Sequence, residues 1–417
     1  MTSSQFSKIN ADNANKRVLK IGLVVGETSG AILALGMVKK ILARYPNCQI
    51  EGIGSPALNK LGMRSLFDMN ELSVMGLVEV IKHLPRLLHI RKTLVKHFLD
   101  NPPDVFIGVD APDFNLRVET MLKAVGIPTV HYVSPTVWAW REKRIHKIAK
   151  ATNLVLGVFP FEQLIYDKYA IPFKFVGHTM ADDVPLVVDQ VQARNSLNLP
   201  DDICAQTPIL ALLPGSRARE IDSLLGVFLD TFNILKENKP ELRAIIPAVN
   251  EARKQQIEKI LSGNKFQHHI IVSHAPARDV MIAANAVLLA SGTAALEAML
   301  CKRPMVVAYI MSGLTYMMMK YMYKPDYFAL PNILANELLV PEFLQKDVNA
   351  PNLAKQLNRV WAQDSETTRL IIEKFTCIHK RLKGNADIQS ADAVLQLIAP
   401  NNTNKLNINE QHLNEER

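Results

Sequence analysis

The sequence predicts an α/β protein made of two parallel, doubly wound halves. Short apolar runs alternate with helical patterns along most of the chain, as βαβ units require. That rhythm breaks at GHTMADDVP (177–185) and restarts at Ile209. At 417 residues the chain is also longer than one ordinary core accommodates.

Val18–Val25 is the first strand, and GETSGA (26–31) turns it into a helical pattern over Ile32–Tyr45. Gln49–Ile53, Val105–Val109, Thr129–Val133, Leu154–Val158 and Lys174–Val176 are further short apolar runs. Near-continuous apolarity of this kind marks strands buried on both faces. Asn115–Val125 and Glu142–Lys150 are helical stretches between them. In the second half, Ile209–Leu213, Arg243–Pro247, His269–Ser273, Ala286–Ala290 and Met305–Ile310 read as strands. Helices are expected at Ala252–Leu261 and Thr293–Met299, and helical pattern dominates from Ala350 to Ile398. The expected organisation is a flexible N-terminus (1–17), a first domain (18–185), a second (186–365), C-terminal helices (366–398) and a disordered tail (399–417). A cleft between two such halves is a common small-molecule site.

The composition, 48% hydrophobic and 21% charged, is that of a globular protein. A net charge of +8 favours anionic partners: nucleic acid, anionic lipid or phosphorylated metabolites. No basic cluster is interleaved with aromatics as a nucleic-acid groove needs, so nucleic acid is not expected. Cys48, Cys204, Cys301 and Cys377 are solitary, which argues against a zinc site or disulfide framework. Each is expected to be a buried thiol. The N-terminus has no apolar core, and no apolar run reaches the roughly 18 residues of a spanning helix.

The Val105–Val109 run stops abruptly at VDAPDFN (109–115). Ligands of open α/β sheets gather beyond strand carboxyl ends. Asp110 and Asp113 there are either proton acceptors for a bound hydroxyl or braces for the following helix. In LLPGSRARE (212–220), Gly215 and Ser216 let backbone N–H groups approach an anion at a helix start, and Arg217 adds a fork of donors. An ordinary corner with a surface arginine fits equally. ASGTAALEAM (290–299) repeats the pattern with Ser291, Gly292 and Thr293. Glu297, one turn on, is either a ribose ligand or a solvated helix charge. GETSGA matches neither the dinucleotide fingerprint nor a phosphate-binding Walker loop. Glu27 in that turn suits a sugar hydroxyl or the local backbone.

HYVSPTVWAWREKR (131–144) holds two of the three tryptophans, Trp138 and Trp140, beside Arg141, Lys143 and Arg144. They line a site for a phosphorylated amphiphile or pack in the core. Leu72–Phe98 interleaves apolar residues with Lys82, Arg86, Arg91, Lys92 and Lys96. It reads as a basic amphipathic surface for an anionic membrane or as a helix pair with one buried face. The Met-rich run MSGLTYMMMKYMY (311–323) is a second greasy surface or core filler.

Eight motifs in this order resemble the lipid-A-disaccharide synthases: GETSG, ELSVMGLVEV (71–80), VDAPDFN, HYVSPTVWAWR (131–141), VGHTMAD (176–182), LLPGSR (212–217), ASGTAALE (290–297) and LPNILA (330–335). The resemblance spans Ile21 to Leu397. It implies an inverting, metal-independent glycosyltransferase of the GT-B fold, two facing Rossmann-like domains with a cleft between them, and no cofactor. The implied donor is UDP-2,3-diacylglucosamine. The acceptor is the 6-hydroxyl of 2,3-diacylglucosamine 1-phosphate (lipid X), and the products are the β-1,6 disaccharide 1-phosphate and UDP. Asp110 becomes the base and Arg217 the leaving-group stabiliser. Gly215, Ser216, Ser291, Gly292, Thr293, Glu297 and Asn332 hold the donor in domain 186–365. Glu27, Ser29, Asp113, Asn115, Trp138 and Arg141 lie at the acceptor or cleft in domain 18–185. Met75, Lys82, Leu84, Arg86, Leu87, Leu88 and Arg91 face lipid, on the cytoplasmic side of a Gram-negative inner membrane. The C-terminal helices pack on the first domain or on a partner subunit of a homodimer. One departure stands out: the family reads GE-x-SGD, and the last position here is Ala31. A UDP-N-acetylglucosamine 2-epimerase-like enzyme is the alternative within the same fold, and a membrane-bound scaffold without activity is another.

Overall fold

The computed structural model describes residues 18–72, 77–200, 202–361 and 366–399; the side chains of 28, 77–82, 314 and 318 lie outside that description. The expected flexible N-terminus, the tail beyond 399 and Met75 also fall outside it. The described chain forms two compact units, one holding residues up to Thr179 and again from Leu382, the other Met180–Arg381.

The first unit is a seven-stranded parallel sheet. Its strands are β1 (Lys20–Val25), β2 (Gln49–Ile53), β3 (Arg64–Ser65), β4 (Val105–Val109), β5 (Thr129–Tyr132), β6 (Leu154–Gly157) and β7 (Phe173–Phe175). They lie in the order β3-β2-β1-β4-β5-β6-β7, so the winding reverses between β1 and β4. Every residue of β4 is buried, as its unbroken apolar run requires. Phe98, from the Leu77–Asp100 helix, packs edge-on against Phe106 of β4, with centroids 5.5 Å apart. The C-terminal Ala386–Leu397 helix contributes Ala391 and Val394 to this core and packs on the Thr28–Arg44 helix. Arg44 and Asp392 form an ion pair across that contact.

The second unit is a six-stranded parallel sheet. It comprises β8 (Ile209–Leu213), β9 (Arg243–Pro247), β10 (Ile270–Ser273), β11 (Ala286–Ala290), β12 (Met305–Tyr309) and β13 (Glu342–Leu344). The order β10-β9-β8-β11-β12-β13 reverses between β8 and β11. Phe228, Phe232 and Leu235 of the Ala218–Asn238 helix and Leu353 and Leu357 of the Ala350–Val360 helix fill one core beside it. Most of the C-terminal Glu366–Leu382 helix belongs to this unit. The two C-terminal helices thus belong to different units.

Both sheets match the doubly wound expectation. β3 and β13 span only two and three residues, too short for a periodic signal. The expectation of four buried thiols is corrected: Cys301 is buried, Cys48 is half-buried, and Cys204 and Cys377 are exposed.

Candidate active site

In a doubly wound sheet, the two strands flanking the reversal part at their carboxyl ends and leave a crevice. In the first unit those ends are Gly26–Ser29 after β1 and Asp110–Ala111 after β4. Asp110 and Ala111 both have left-handed backbone, φ 58° and 42°. Val133, which follows β5, has φ 77°, and Arg141 further along that loop has φ 52°. A β-branched residue at positive φ is a genuine outlier, and such strain gathers at functional sites.

The Asp110 amide donates to the Tyr132 carbonyl at 2.9 Å, fixing the corner to β5. Burial pushes the Asp110 carboxyl up; the charge of His131, the Ala111 N–H and the Ser29 hydroxyl pull it back down. Ser29 is exposed at the start of the Thr28–Arg44 helix. Glu27 is the residue preceding that helix, in extended backbone. Ala31 is buried in its first turn, which contains no acidic residue.

Asn115, expected at the acceptor, is fully buried. Its amide nitrogen donates to the Asp110 carbonyl at 2.8 Å, Val109 at 3.3 Å and Val24 at 3.4 Å, tying the ends of β1 and β4 together. Asp113 opens the next helix, exposed and ion-paired with Arg144. Trp138 is half-buried against the Phe161 ring, centroids 4.7 Å apart. Arg141 is exposed and lies 4.3 Å over the Trp140 ring.

In the second unit, both Gly-rich turns lie at the reversal. Gly215 follows β8 with φ 122°, and Gly292 follows β11 with φ 148°, values that favour glycine. The space beside Gly292 is open, and the Thr293–Leu300 helix starts there without a side-chain cap. Orphan N–H groups at such a start suit an anion. Ser291 is half-buried, and its amide donates to Ala308 at 3.0 Å.

The Gly215 turn differs from expectation. Glu220 Oε2 accepts the Ser216 amide at 3.0 Å and the Arg217 amide at 3.3 Å, and Oε1 accepts from the Arg217 guanidinium at 3.1 Å. A carboxylate already holds the donors that the sequence assigns to phosphate. Glu220 is a site residue that the motifs do not single out, although its position three residues into a helix start is a capping signal. Arg278 is another: its Nε donates to Glu297 Oε1 at 3.0 Å, so Glu297 is paired rather than solvated. Asn332, expected on the donor, lies in the core of the second unit. It is fully buried and bonded to Leu339, Val340 and Glu342.

On the Leu77–Asp100 helix, Ile90, Leu94 and Phe98 face the core, while Leu84 and Leu88, one turn apart, are 44% and 40% exposed. Leu87 packs against the core. Arg86 is exposed and paired: its guanidinium donates to both Glu71 oxygens, at 2.6 and 3.1 Å. Arg91 is half-buried, and burial lowers its pKa. The Lys82 side chain lies outside the described residues. Met317 and Tyr321 are exposed on the Met-rich Gly313–Met322 helix. Among the described residues no helix is long and apolar enough to cross a membrane.

Among solved structures, the glycotransferase of kitacinnamycin aligns with TM-score 0.61 at 14% identity, over 91% of this chain and 99% of its own. A UDP-GlcNAc 2-epimerase from Neisseria meningitidis, bound to UDP-GlcNAc, aligns with TM-score 0.56 at 12% identity, over 91% and 99%. At such identities the likeness shows the fold, GT-B, shared by transferases and epimerases alike. Sequence relatives separate the two. Lipid-A-disaccharide synthases of Alteromonas mediterranea and Haemophilus influenzae (strain Rd) are 54% and 50% identical, over 91% and 92% of this chain and 98% of theirs. The lipid-A-disaccharide synthetase family model matches residues 21–398. Coverage of both sheets, both reversals and both C-terminal helices by that match means that the chain belongs to the lipid-A-disaccharide synthetase family.

Proposed function

We propose that this enzyme transfers 2,3-diacylglucosamine from UDP-2,3-diacylglucosamine to the 6-hydroxyl of 2,3-diacylglucosamine 1-phosphate, forming the β-1,6 disaccharide 1-phosphate and UDP. The Asp110 carboxylate takes the hydroxyl proton. The acceptor O6–C1 bond forms as the bond from C1 to the diphosphate oxygen breaks, and UDP leaves with the electron pair. Attack from the face opposite UDP inverts the anomeric carbon. Arg217 and the helix start at Gly292–Thr293 balance the charge developing on UDP, so no metal is required. Glu297 receives the ribose hydroxyls. Glu27, Ser29 and the Trp138–Arg141 loop bound the acceptor side. Leu84 and Leu88, with the Met-rich helix, meet the acyl chains and the cytoplasmic leaflet of the inner membrane, where the enzyme is peripheral.

The observation carrying this reading is Asp110: a partly buried carboxylate at the sheet reversal, presented by two consecutive left-handed residues, with the Ser29 hydroxyl and the Ala111 N–H pulling its pKa back down. The decisive assay supplies both lipid substrates in detergent and follows UDP and disaccharide together, with and without chelator. Equal yields of UDP and disaccharide, insensitive to chelator, are expected. Epimerisation of UDP-N-acetylglucosamine without disaccharide would overturn the reading, and chelator inhibition would overturn the metal-free step.

A further inference from the structure

Asp110 and Ala111 stand against the two glycines of GETSG, a contact whose significance rests on Asp110 acting as the base. A Cβ at Gly26 would lie 2.1 Å from the Ala111 methyl, far closer than carbon atoms pack. The three atoms nearest to that Cβ all belong to Ala111. Gly26 has no left-handed φ, so the Ala111 methyl is the nearest obstacle to a side chain there. A Cβ at Gly30 would lie 3.2 Å from both Asp110 Cβ and Val109 Cγ1, and 3.7 Å from Asp110 Oδ2. Gly30 is in the first turn of the Thr28–Arg44 helix, so Asp110 rests on the bare backbone of that turn.

Hydrogen bonds hold the same corner from other sides. The Gly26 amide donates to the Val109 carbonyl at 3.3 Å, and the Ala111 carbonyl accepts the Phe114 and Asn115 amides, both at 3.0 Å. Two left-handed residues in succession persist only where their surroundings over-determine them. Glycine would adopt the φ of 42° at position 111 without penalty. The Ala111 methyl thus works against the local backbone preference, and what it meets is the space that Gly26 leaves empty. We propose that this methyl is a peg seated on Gly26, and that the peg and the bare Gly30 together aim the Asp110 carboxylate. Ala111, Gly26 and Gly30 are then positioning residues that act through Asp110.

The test compares kcat, donor KM, UDP affinity and melting temperature for Ala111→Gly, Gly26→Ala, Gly26→Ala with Ala111→Gly, and Gly30→Ala, beside Asp110→Asn. Misplacing a catalytic group by about 1 Å costs about 10²-fold in rate. Ala111→Gly relieves left-handed strain, so its melting temperature should hold or rise while kcat falls by roughly tenfold. Gly26→Ala should lose roughly 10²-fold in kcat. The double variant moves the methyl from one partner to the other, and the nearest remaining atom is then Ala111 Cα at 3.4 Å, an ordinary contact. It should recover about tenfold over Gly26→Ala. Gly30→Ala adds helix propensity but presses on Asp110, so kcat should fall severalfold with no loss of melting temperature. Donor KM and UDP affinity should stay at the parent's values throughout. If Gly26→Ala does not fold, Ala111→Gly and Gly30→Ala carry the test. Parent kcat in folded Ala111→Gly or Gly30→Ala, or a double variant no better than Gly26→Ala, overturns the proposal. So does a fall in kcat that only follows the melting temperature. Full turnover by Asp110→Asn would instead overturn the base assignment itself, so the two failures are distinguishable.

Discussion

Glu220 Oε2 lies 3.0 Å from the amide nitrogen of Ser216, occupying the turn proposed to bind the donor diphosphate. Gly215 makes this possible, because a Cβ there would sit 2.3 Å from the same oxygen. Glu220→Gln keeps an acceptor for the amides and removes the negative charge. UDP should bind severalfold tighter by calorimetry, while the melting temperature falls by a few degrees because the charged cap is weakened. Unchanged or weaker UDP binding would mean that the diphosphate sits elsewhere.

Asp110→Asn removes the proposed base and a carboxylate that burial disfavours. Turnover should fall by roughly 10²–10⁴-fold. UDP affinity should hold, and the melting temperature should stay level or rise, since a strained, desolvated charge is replaced by a neutral isostere. A loss of stability matching the loss of activity would make Asp110 a structural brace.

Arg278 and Glu297 act as a pair if Glu297 binds ribose. Arg278→Ala frees the carboxylate to rotate, and the KM for the UDP donor should rise by roughly 3–10-fold with kcat little changed, as a partly exposed ionic hydrogen bond warrants. A drop in kcat at constant KM would place Arg278 at the departing phosphate instead.

Leu84 and Leu88 test the lipid-facing surface without touching the core. Leu84→Ser with Leu88→Ser should lower the fraction floating with anionic vesicles severalfold and leave the melting temperature within about a degree, because both are exposed. Unchanged flotation would leave this face to ordinary solvation.

Glu162 gives a pH signature to stability. Burial pushes its carboxyl up to about 8, against 4.5 for the free group. Between those values the native state holds a proton that the unfolded chain releases. The stability from that proton is complete below the unfolded value and is lost as pH rises through the folded one. Glu162→Gln should therefore gain on the parent by several degrees in melting temperature between pH 5 and 8.5. Parallel curves for the two proteins would show that Glu162 is ionised throughout.

Both sheets were legible in the amino-acid order alone, because strands buried on both faces must be apolar from end to end and the helices between them periodic. β4, β8, β9 and β11 have the very bounds of their apolar runs. The same patterning put Asp110, Gly215 and Gly292 at strand ends. Which polar residues remain available became visible only in the folded chain. Asn115 and Asn332 sit in motifs as prominent as that of Asp110, yet both are buried and their amide N–H groups bond oxygens within the fold. Glu297 looks solvated on its helix and is paired with Arg278. The buried contact of Glu119 with His131, at 2.7 Å, depends on an absent side chain at Gly108. Hydropathy is a property of each segment, whereas hydrogen bonds and ion pairs join residues far apart in the chain.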